Sequence, residues 1–417
     1  MRTPLGAIIF IAVLLLIDWY VFQAFRAVAA GSAARTRTLV QWIYWGVSIL
    51  VVGSFLMILL SRPDFLPRSA RNFIFAMIAG LFLAKLTIAF FILLDDVRRV
   101  FQWTALKLFF SPGGSDAGEG VSRSVFLSWL GLAAGSSLFG SLLYGFGNKY
   151  RYEVKRVKLN FDNLPPGFKG IKVVHISDIH SGSFNDRSAV KRGVEKILHE
   201  KPDLILFTGD LVNDRAVEMN EYKELFATLK APLGVYSILG NHDYGDYVRW
   251  PQNGITREQN LEQVKQVHAE MGWRLLMNEH VVLENDGDRI ALLGIENWSN
   301  RGRFPKYGKL QEAYDGAAEY PFKILLSHDP SHWEAQVQPE YSDIDLMLSG
   351  HTHGMQFGVE VPGFRWSPVQ YIYKQWAGLY ENGRQKLYVN RGFGFIGYPG
   401  RVGILPEITV IELNRET

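Results

Sequence analysis

Four apolar stretches near the N-terminus constrain the fold of this chain more than any other feature. They run roughly from Leu5 to Phe25, Leu39 to Leu60, Phe73 to Leu94 and Val125 to Phe146. Each is about 20 residues long, which is what a helix needs to cross the hydrocarbon core of a bilayer. In lipid every backbone polar group must be bonded within its own segment, so such stretches fold as helices. The first stretch also has a signal-peptide reading, since Ala27-Val28-Ala29 offers a cleavage-like pattern. Its apolar run continues through Trp19, Tyr20 and Phe22, longer than a usual signal core, and three more spans follow. The pattern predicts a transmembrane helical region over residues 1–150 and a domain of another kind over 151–417.

Charge divides the same way. Residues 1–150 hold 13 Lys/Arg against 6 Asp/Glu, and the remainder holds 31 against 35. The positive excess flanks apolar segments, so it reads as membrane-flanking rather than nucleic-acid binding. With the N-terminus inside, 9 Lys/Arg fall on inside segments and 7 on outside loops. The positive-inside rule then predicts a C-terminal domain on the cytoplasmic side of the membrane. Two charges lie within spans. Asp18 and Lys85 either form a buried pair, or Asp18 reaches the interface while Lys85 snorkels. Gly131, Gly135 and Gly140 would allow close helix packing in the fourth span. The loop from Asp95 to Arg123 contains a possible interfacial segment, Val100–Phe110, and a turn-rich Ser111-Pro112-Gly113-Gly114-Ser115 stretch. The chain has no cysteine, which excludes disulfides and thiolate metal sites.

Beyond residue 150 short apolar runs alternate with helical stretches, an α/β pattern. Ile171–Ile176, Leu204–Phe207, Val235–Leu239, Ile324–Leu326 and Ile344–Leu348 read as buried strands. Arg187–Glu200 and Met219–Lys230 read as amphipathic helices. Arg274–Ile295 reads as shorter strands turning at Asn285-Asp286-Gly287, and Leu387–Asn390 and Ile408–Leu413 add two more. Polar residues cluster at the strand ends: Ser177-Asp178-Ile179-His180, Thr208-Gly209-Asp210, Gly240-Asn241-His242-Asp243, Ser327-His328-Asp329 and Ser349-Gly350-His351-Thr352-His353-Gly354. Carboxyl ends of strands are where α/β sheets bind ligands. Any one cluster has a bland reading as a cap or turn. Five of them, each with Asp, Asn or His, exceed what capping explains. Imidazole, carboxylate and amide donors together suit manganese, iron or zinc. Two ions held by such a set can clamp a phosphate ester and deliver a hydroxide in line.

The ordered set Asp-x-His, Gly-Asp, Gly-Asn-His-Asp, His and Gly-His-x-His resembles the calcineurin-like metallophosphoesterase superfamily. All five blocks occur in order between residues 171 and 353. The tail from Tyr388-Val389-Asn390-Arg391-Gly392 to Pro406-Glu407 is similar to the bacterial membrane-associated YaeI/YkuE-like branch. The resemblance covers roughly residues 155–415 and implies a four-layer α/β/β/α sandwich there; the bundle of about four transmembrane helices that precedes it is not part of the superfamily's shared core. It implies one metal on Asp178, His180, Asp210 and His353, and a second on Asp210, Asn241, His328 and His351. His242 would be the catalytic histidine. Relatives often carry an orienting Asp three residues after the Gly-Asp pair; here that place is Asn213, leaving Asp214 and Asp243 as candidates.

Other features have competing readings. Gly392-Phe393-Gly394-Phe395-Ile396-Gly397 matches a dinucleotide fingerprint by letter, but Pro399 and Gly400 follow, so no helix opens after it. His175 reads as structural; His332, four residues after His328, reads either as a support for the site or as a surface histidine. Arg301 and Arg303 would contact phosphate or belong to a solvated loop. Phe364, Trp366, Tyr371, Tyr373 and Trp376 would rest on a bilayer or pack around the site.

The expectation is a membrane-anchored phosphoesterase with two divalent ions, using in-line attack by a metal-bridging hydroxide. Its location points to a lipid-linked or nucleotide-diphosphate-linked substrate and to the lipid bilayer as a partner. The alternative, a non-catalytic membrane sensor or scaffold, would leave gaps in the ligand set. No ligand is missing.

Overall fold

The computed structural model describes residues 4–60, 65–109, 123–302 and 304–415. Arg303 and the Ser111–Ser115 stretch lie outside the described residues. The chain forms two compact units, Met1–Tyr144 and Gly145–Thr417.

The first unit is built on α1 (Pro4–Ala29), α2 (Ala34–Leu60), α3 (Arg68–Phe109) and α4 (Arg123–Gly145). All four are long and apolar enough to span a membrane. The third is 42 residues long. Of Val100–Phe110, read from sequence as a possible interfacial segment, residues up to Phe109 continue its helix, and Phe110 lies outside the described residues. The spans pack through small residues. A Cβ on Gly135 would lie 2.7 Å from the Ala84 carbonyl oxygen, and one on Gly131 would lie 3.0 Å from Phe91 Cβ. Glycine there lets two backbones approach without a hydrophobic drive from water. Gly140 has nothing within 4 Å and makes no such contact. Asp18 and Lys85 form an ion pair, with both residues buried. Lys85 also donates to Ser48 Oγ at 3.4 Å, and Tyr44 donates to the Asp18 carbonyl at 2.7 Å. The buried pair, not snorkelling, is the observed arrangement. A cavity of about 300 Å³ bounded by Tyr44, Lys85, Gly135 and Phe139 lies beside it.

The second unit holds two six-stranded sheets. The first has the order β1 (Glu153–Phe161), β14 (Glu407–Arg415), β2 (Lys172–Ile176), β3 (Leu204–Phe207), β4 (Val235–Ser237) and β5 (Arg274–Leu275). The second has the order β12 (Gly378–Asn382), β13 (Gln385–Val389), β9 (Leu346–Ser349), β8 (Lys323–Leu326), β7 (Asp288–Gly294) and β6 (Glu279–Asn285). Side chains alternate between strand faces. Hence Val173, Leu204 and Leu206 pack toward Leu292, Ile324 and Leu346 between the sheets. Val174, Ile205 and Phe207 instead pack under α5 (Arg187–His199), α6 (Lys223–Phe226) and α7 (Arg257–Met271). On the far side Leu293, Leu325 and Met347 pack under α8 (Leu310–Tyr314) and Trp333 and Val337, one helical turn before α9 (Gln338–Glu340). The layers are therefore α/β/β/α. The remaining strands, β10 (Val359–Val361) and β11 (Phe364–Trp366), form a separate antiparallel ribbon.

One expected helix is broken. Residues 219–230 do not form a continuous helix. A tight turn covers Ala216–Met219, and α6 has only 4 residues. The Glu218 carboxylate accepts from the Asn213 amide at 2.7 Å, which ties this stretch to the loop after β3.

Candidate metal centre

The five polar clusters follow β2, β3, β4, β8 and β9, which are adjacent strands within each sheet. Their backbones leave ordinary extended geometry where the candidate ligands sit. Asp178, His180, Asp210, His351 and His353 all have φ between 48° and 71°. Positive φ is uncommon for residues with a Cβ and concentrates at functional sites. The neighbouring glycines permit this crowding. A Cβ on Gly350 would fall 1.9 Å from Ser177 Oγ and 2.2 Å from Asp178 Oδ2.

Two trios result, buried except for the partly exposed His351. Ligand atoms of Asp178, His180 and His353 lie within 4.8 Å of one another, as do those of Asp210, His328 and His351. Asp210 belongs to both neighbourhoods: its Oδ2 is 3.4 Å from His180 Nε2 and 3.2 Å from His328 Nε2. Asn241 joins the second trio, with Oδ1 2.8 Å from His351 Nδ1. All seven sequence-predicted ligands therefore line one site.

The surroundings decide which ring nitrogens face inward. His328 Nδ1 faces the Thr208 carbonyl at 2.7 Å, so it carries the proton and Nε2 points at Asp210. His351 Nε2 faces Tyr373 Oη at 2.9 Å, and Tyr373 donates onward to Asp329 at 3.1 Å. That leaves His351 Nδ1 toward Asn241. Such outer contacts orient metal-binding imidazoles. Beside His353 lies Arg401, fully buried, with its guanidinium 3.3 Å from Nδ1. Arg401 also donates to the Arg391 and Gly392 carbonyls at 2.8 and 3.2 Å.

The site attracts positive charge. Burial alone would raise the Asp178 and Asp210 carboxyls. The histidines around them, His353 for Asp178 and His328 for Asp210, hold both well below the usual range. Burial opposes protonation of His328, yet the Asp210 carboxylate raises it to about 10. His180 Nδ1 and Nε2 and His353 Nε2 are buried without a hydrogen-bond partner. Buried polar atoms that lack partners in a native fold call for an explanation such as an ion. Buried carboxylates and unbonded imidazole nitrogens converging on one point fit two divalent cations.

His242 lines the same cavity, about 220 Å³ in volume. Its Nδ1 faces the Asn213 carbonyl at 2.7 Å and so bears a proton. Burial pushes its imidazole down to about 4 against the pull of Asp210. The orienting acceptor is thus a backbone carbonyl rather than either carboxylate weighed from sequence. Asp243 does a different job. Its carboxylate accepts from the amides of Asp210, Leu211, Val212 and Gly240 at 2.9, 2.8, 3.2 and 2.8 Å. Burial, with the charge of Asp210, pushes it up to about 7, while the amide bonds pull the other way.

The remaining candidates separate. Arg301 lies with its guanidinium 5.1 Å from the Tyr373 ring centre and bonds the Ile372 carbonyl; both Tyr373 and Ile372 line the cavity. Phe304, not singled out from sequence, sets its ring centre 4.8 Å from that of His351, edge to face. His175 is structural, bonded to Thr208 Oγ1 at 2.9 Å. His332 is buried between Ser327 and Gln336, not on the surface, because the turn that carries it packs under the second sheet. No helix follows the Gly392–Gly397 run. The amides of Phe393 and Gly394 bond the Ser177 and Asp178 carbonyls at 2.7 and 2.8 Å. A Cβ on Gly394 would lie 1.9 Å from the Ile179 oxygen, so this glycine serves the metal loop and not a nucleotide. Of the late aromatics, Tyr373 and Trp376 are buried while Phe364 and Tyr371 are exposed. Asp329 stood in the Ser327-His328-Asp329 cluster without an assigned role, whereas Arg401 had no motif to announce it. A lone Arg after Pro399-Gly400 carries no signal of burial.

Known proteins match in both units. The family described as probable calcineurin-like phosphoesterase, transmembrane domain, matches residues 1–148. The family described as calcineurin-like phosphoesterase matches residues 171–355. The uncharacterized metallophosphoesterase YkuE of Bacillus subtilis is 30% identical over 304 residues, covering 70% of this chain and 98% of that protein. The phosphodiesterase YaeI of Escherichia coli is 27% identical, covering 70% of this chain and 99% of its own. A transmembrane protein with metallophosphoesterase domain from Danio rerio is 31% identical over 63% of this chain, and the match spans 57% of that relative's length.

Proposed function

Since the chain belongs to the calcineurin-like phosphoesterase family, we propose that it is a membrane-anchored, dinuclear metal-dependent phosphoesterase. The observation that carries this reading is Asp210, whose one carboxylate reaches into two ligand trios beside a cavity also lined by His242. Asp178, His180, Asp210 and His353 would hold one ion; Asp210, Asn241, His328 and His351 would hold the other. Manganese, iron and zinc all suit this donor set. When bound, two such ions supply Lewis-acid charge neutralisation and an activated water.

The chain's own groups do the rest. Thr208, Tyr373 and Asp329 hold His328 and His351 with the correct nitrogen inward. Asn213 fixes the His242 tautomer, which leaves Nε2 for the substrate. In hydrolysis a bond forms from a water oxygen to phosphorus, the ester P–O bond breaks, and the leaving oxygen takes up a proton. His242 is the group proposed to act at that oxygen: its Nε2, unprotonated at rest, would take up the proton that the attacking water loses and pass it to the leaving group. The spans support a lipid-linked phosphate ester or a nucleotide-diphosphate-linked amphiphile as substrate, and the positive-inside balance supports a cytoplasmic domain.

Hydrolysis of an aryl phosphodiester and monoester with added manganese tests this. Replacing His242 with alanine should lower turnover by roughly 10²–10⁴-fold, the usual worth of a positioned acid–base group. If wild-type protein binds divalent ions yet hydrolyses neither ester with any of them, the enzyme reading fails.

A further inference from the structure

The β10–β11 ribbon is built inside out. Its register pairs Val359 with Trp366, Glu360 with Arg365 and Val361 with Phe364. Alternation therefore puts Val359, Val361, Phe364 and Trp366 on one face and Glu360 and Arg365 on the other. The polar pair faces the domain. Glu360 bonds Arg391 at 2.7 Å, and the Arg365 guanidinium lies 5.1 Å from the Trp376 ring centre. The apolar face points to solvent: Val361 is 52% and Phe364 56% exposed. An isolated two-stranded ribbon is marginal on its own and would ordinarily turn this face to a core.

The apolar surface leads to the metal cavity. Trp366 Nε1 donates to Tyr371 Oη at 3.4 Å, and Tyr371 is 77% exposed. The next residue, Ile372, is exposed and lines the cavity, as does Met355. A contiguous apolar patch beside a binding cavity marks an interaction surface. Chain connectivity favours one occupant. The last candidate span ends at Asn148 and β1 begins at Glu153, so few residues separate this domain from a bilayer. Valine and phenylalanine flanked by tryptophan and tyrosine is the composition that settles at the boundary between headgroups and acyl chains.

We infer that the outward face of the β10–β11 ribbon docks on the lipid interface, so that the metal cavity takes amphiphilic phosphate esters directly from the membrane. The substrate part of this inference rests on the phosphoesterase reading; the docking part does not. Because the chain has no cysteine, Phe364→Cys and, as a control, Asp286→Cys each give one labelling site. Full-length protein carrying an environment-sensitive fluorophore at either site is reconstituted in vesicles of phosphatidylcholine and phosphatidylglycerol. Nitroxide-bearing lipids should quench the label at 364 and spare the one at 286. Equal quenching at both sites, or a label at 364 shielded without lipid quenching, as by a protein partner, overturns the docking.

The second measurement compares esters. Val361→Asp with Phe364→Asp should leave hydrolysis of a soluble aryl phosphodiester unchanged. The same pair should lower turnover of a vesicle-borne phosphate-ester lipid about tenfold or more, since two apolar anchors are lost. An equal effect on both esters, or none on the lipid, overturns the amphiphile proposal. Absence of all hydrolysis in the wild type sinks the phosphoesterase reading instead, while lipid quenching still decides the docking.

Discussion

Asp243 follows His242 directly, yet its work is structural, and its removal gives the sharpest test of how the centre is held. The carboxylate is fully buried and accepts from four backbone amides on the loops after β3 and β4. Two of those amides belong to Asp210 and to Gly240, the residue before Asn241. Replacement by alanine leaves four buried donors without an acceptor. Each unpaired buried donor costs about 1–3 kcal/mol, so the ceiling is roughly 4–12 kcal/mol. Water entering the space and loop relaxation recover much of this, and the expected loss is about 3–5 kcal/mol, as for other broken buried polar networks. That is a large share of the roughly 5–15 kcal/mol that holds a domain together. For a domain of this size it lowers the melting midpoint on the order of 10 °C. The Asp210 and Asn241 loops should loosen together, so both ions are lost. Thermal unfolding by tryptophan fluorescence, with metal content by emission spectroscopy, reads both effects on the purified protein. An Asp243→Ala protein that keeps its midpoint and both metals would refute the reasoning.

Three further expectations follow from the same geometry. His351→Ala and His353→Ala should each lose a different ion, leaving about one metal per chain in both variants; equal loss of both ions from both proteins would mean an undivided site. His268 is buried against Phe207 and Trp273, and burial pushes it down to about 3. Its folded state stays neutral while the unfolded chain protonates below about 6.5, so stability is full above that pH and is lost as pH falls towards 3, about 2 kcal/mol by pH 5. His268→Leu should flatten the acid limb of a stability–pH curve, and an unchanged slope would remove this residue from the account. In the bundle, Asp18→Ala strands Lys85 and should cost about 3–5 kcal/mol, whereas Asp18→Leu with Lys85→Met should be nearly neutral. Thermal aggregation in detergent would expose an error if the single and double variants melt together.

Much of this architecture is legible from local pattern. The strand cores from Leu204 and Ile324 are continuous apolar runs, the one from Ile171 is apolar apart from Lys172 and His175, and each ends in its ligand cluster. A missed helix, α7, also carried its signal: Thr256 and Gln259 form a reciprocal cap, and Gly272 ends it with φ 74°. The broken helix after Met219 did not. Its apolar spacing is helical, and the bond from the Asn213 amide to Glu218, which ties its start to the loop after β3, has no local signal.

By itself the sequence determined four spans, an α/β domain behind them, and which side chains could hold metal. Those properties depend on hydrophobic period and residue chemistry, both of which act within a few positions along the chain. The tertiary structure alone decided partners. His328 is oriented by a carbonyl 120 residues away, Asp18 is matched to Lys85, and Arg401 finds His353 48 residues back. It also decided that Asn213, and not a carboxylate, orients His242. The outward turn of Val361 and Phe364 belongs with these. A two-residue period says that one face of a strand differs from the other, but what packs behind the ribbon, here Arg391 and Trp376, decides which face meets solvent.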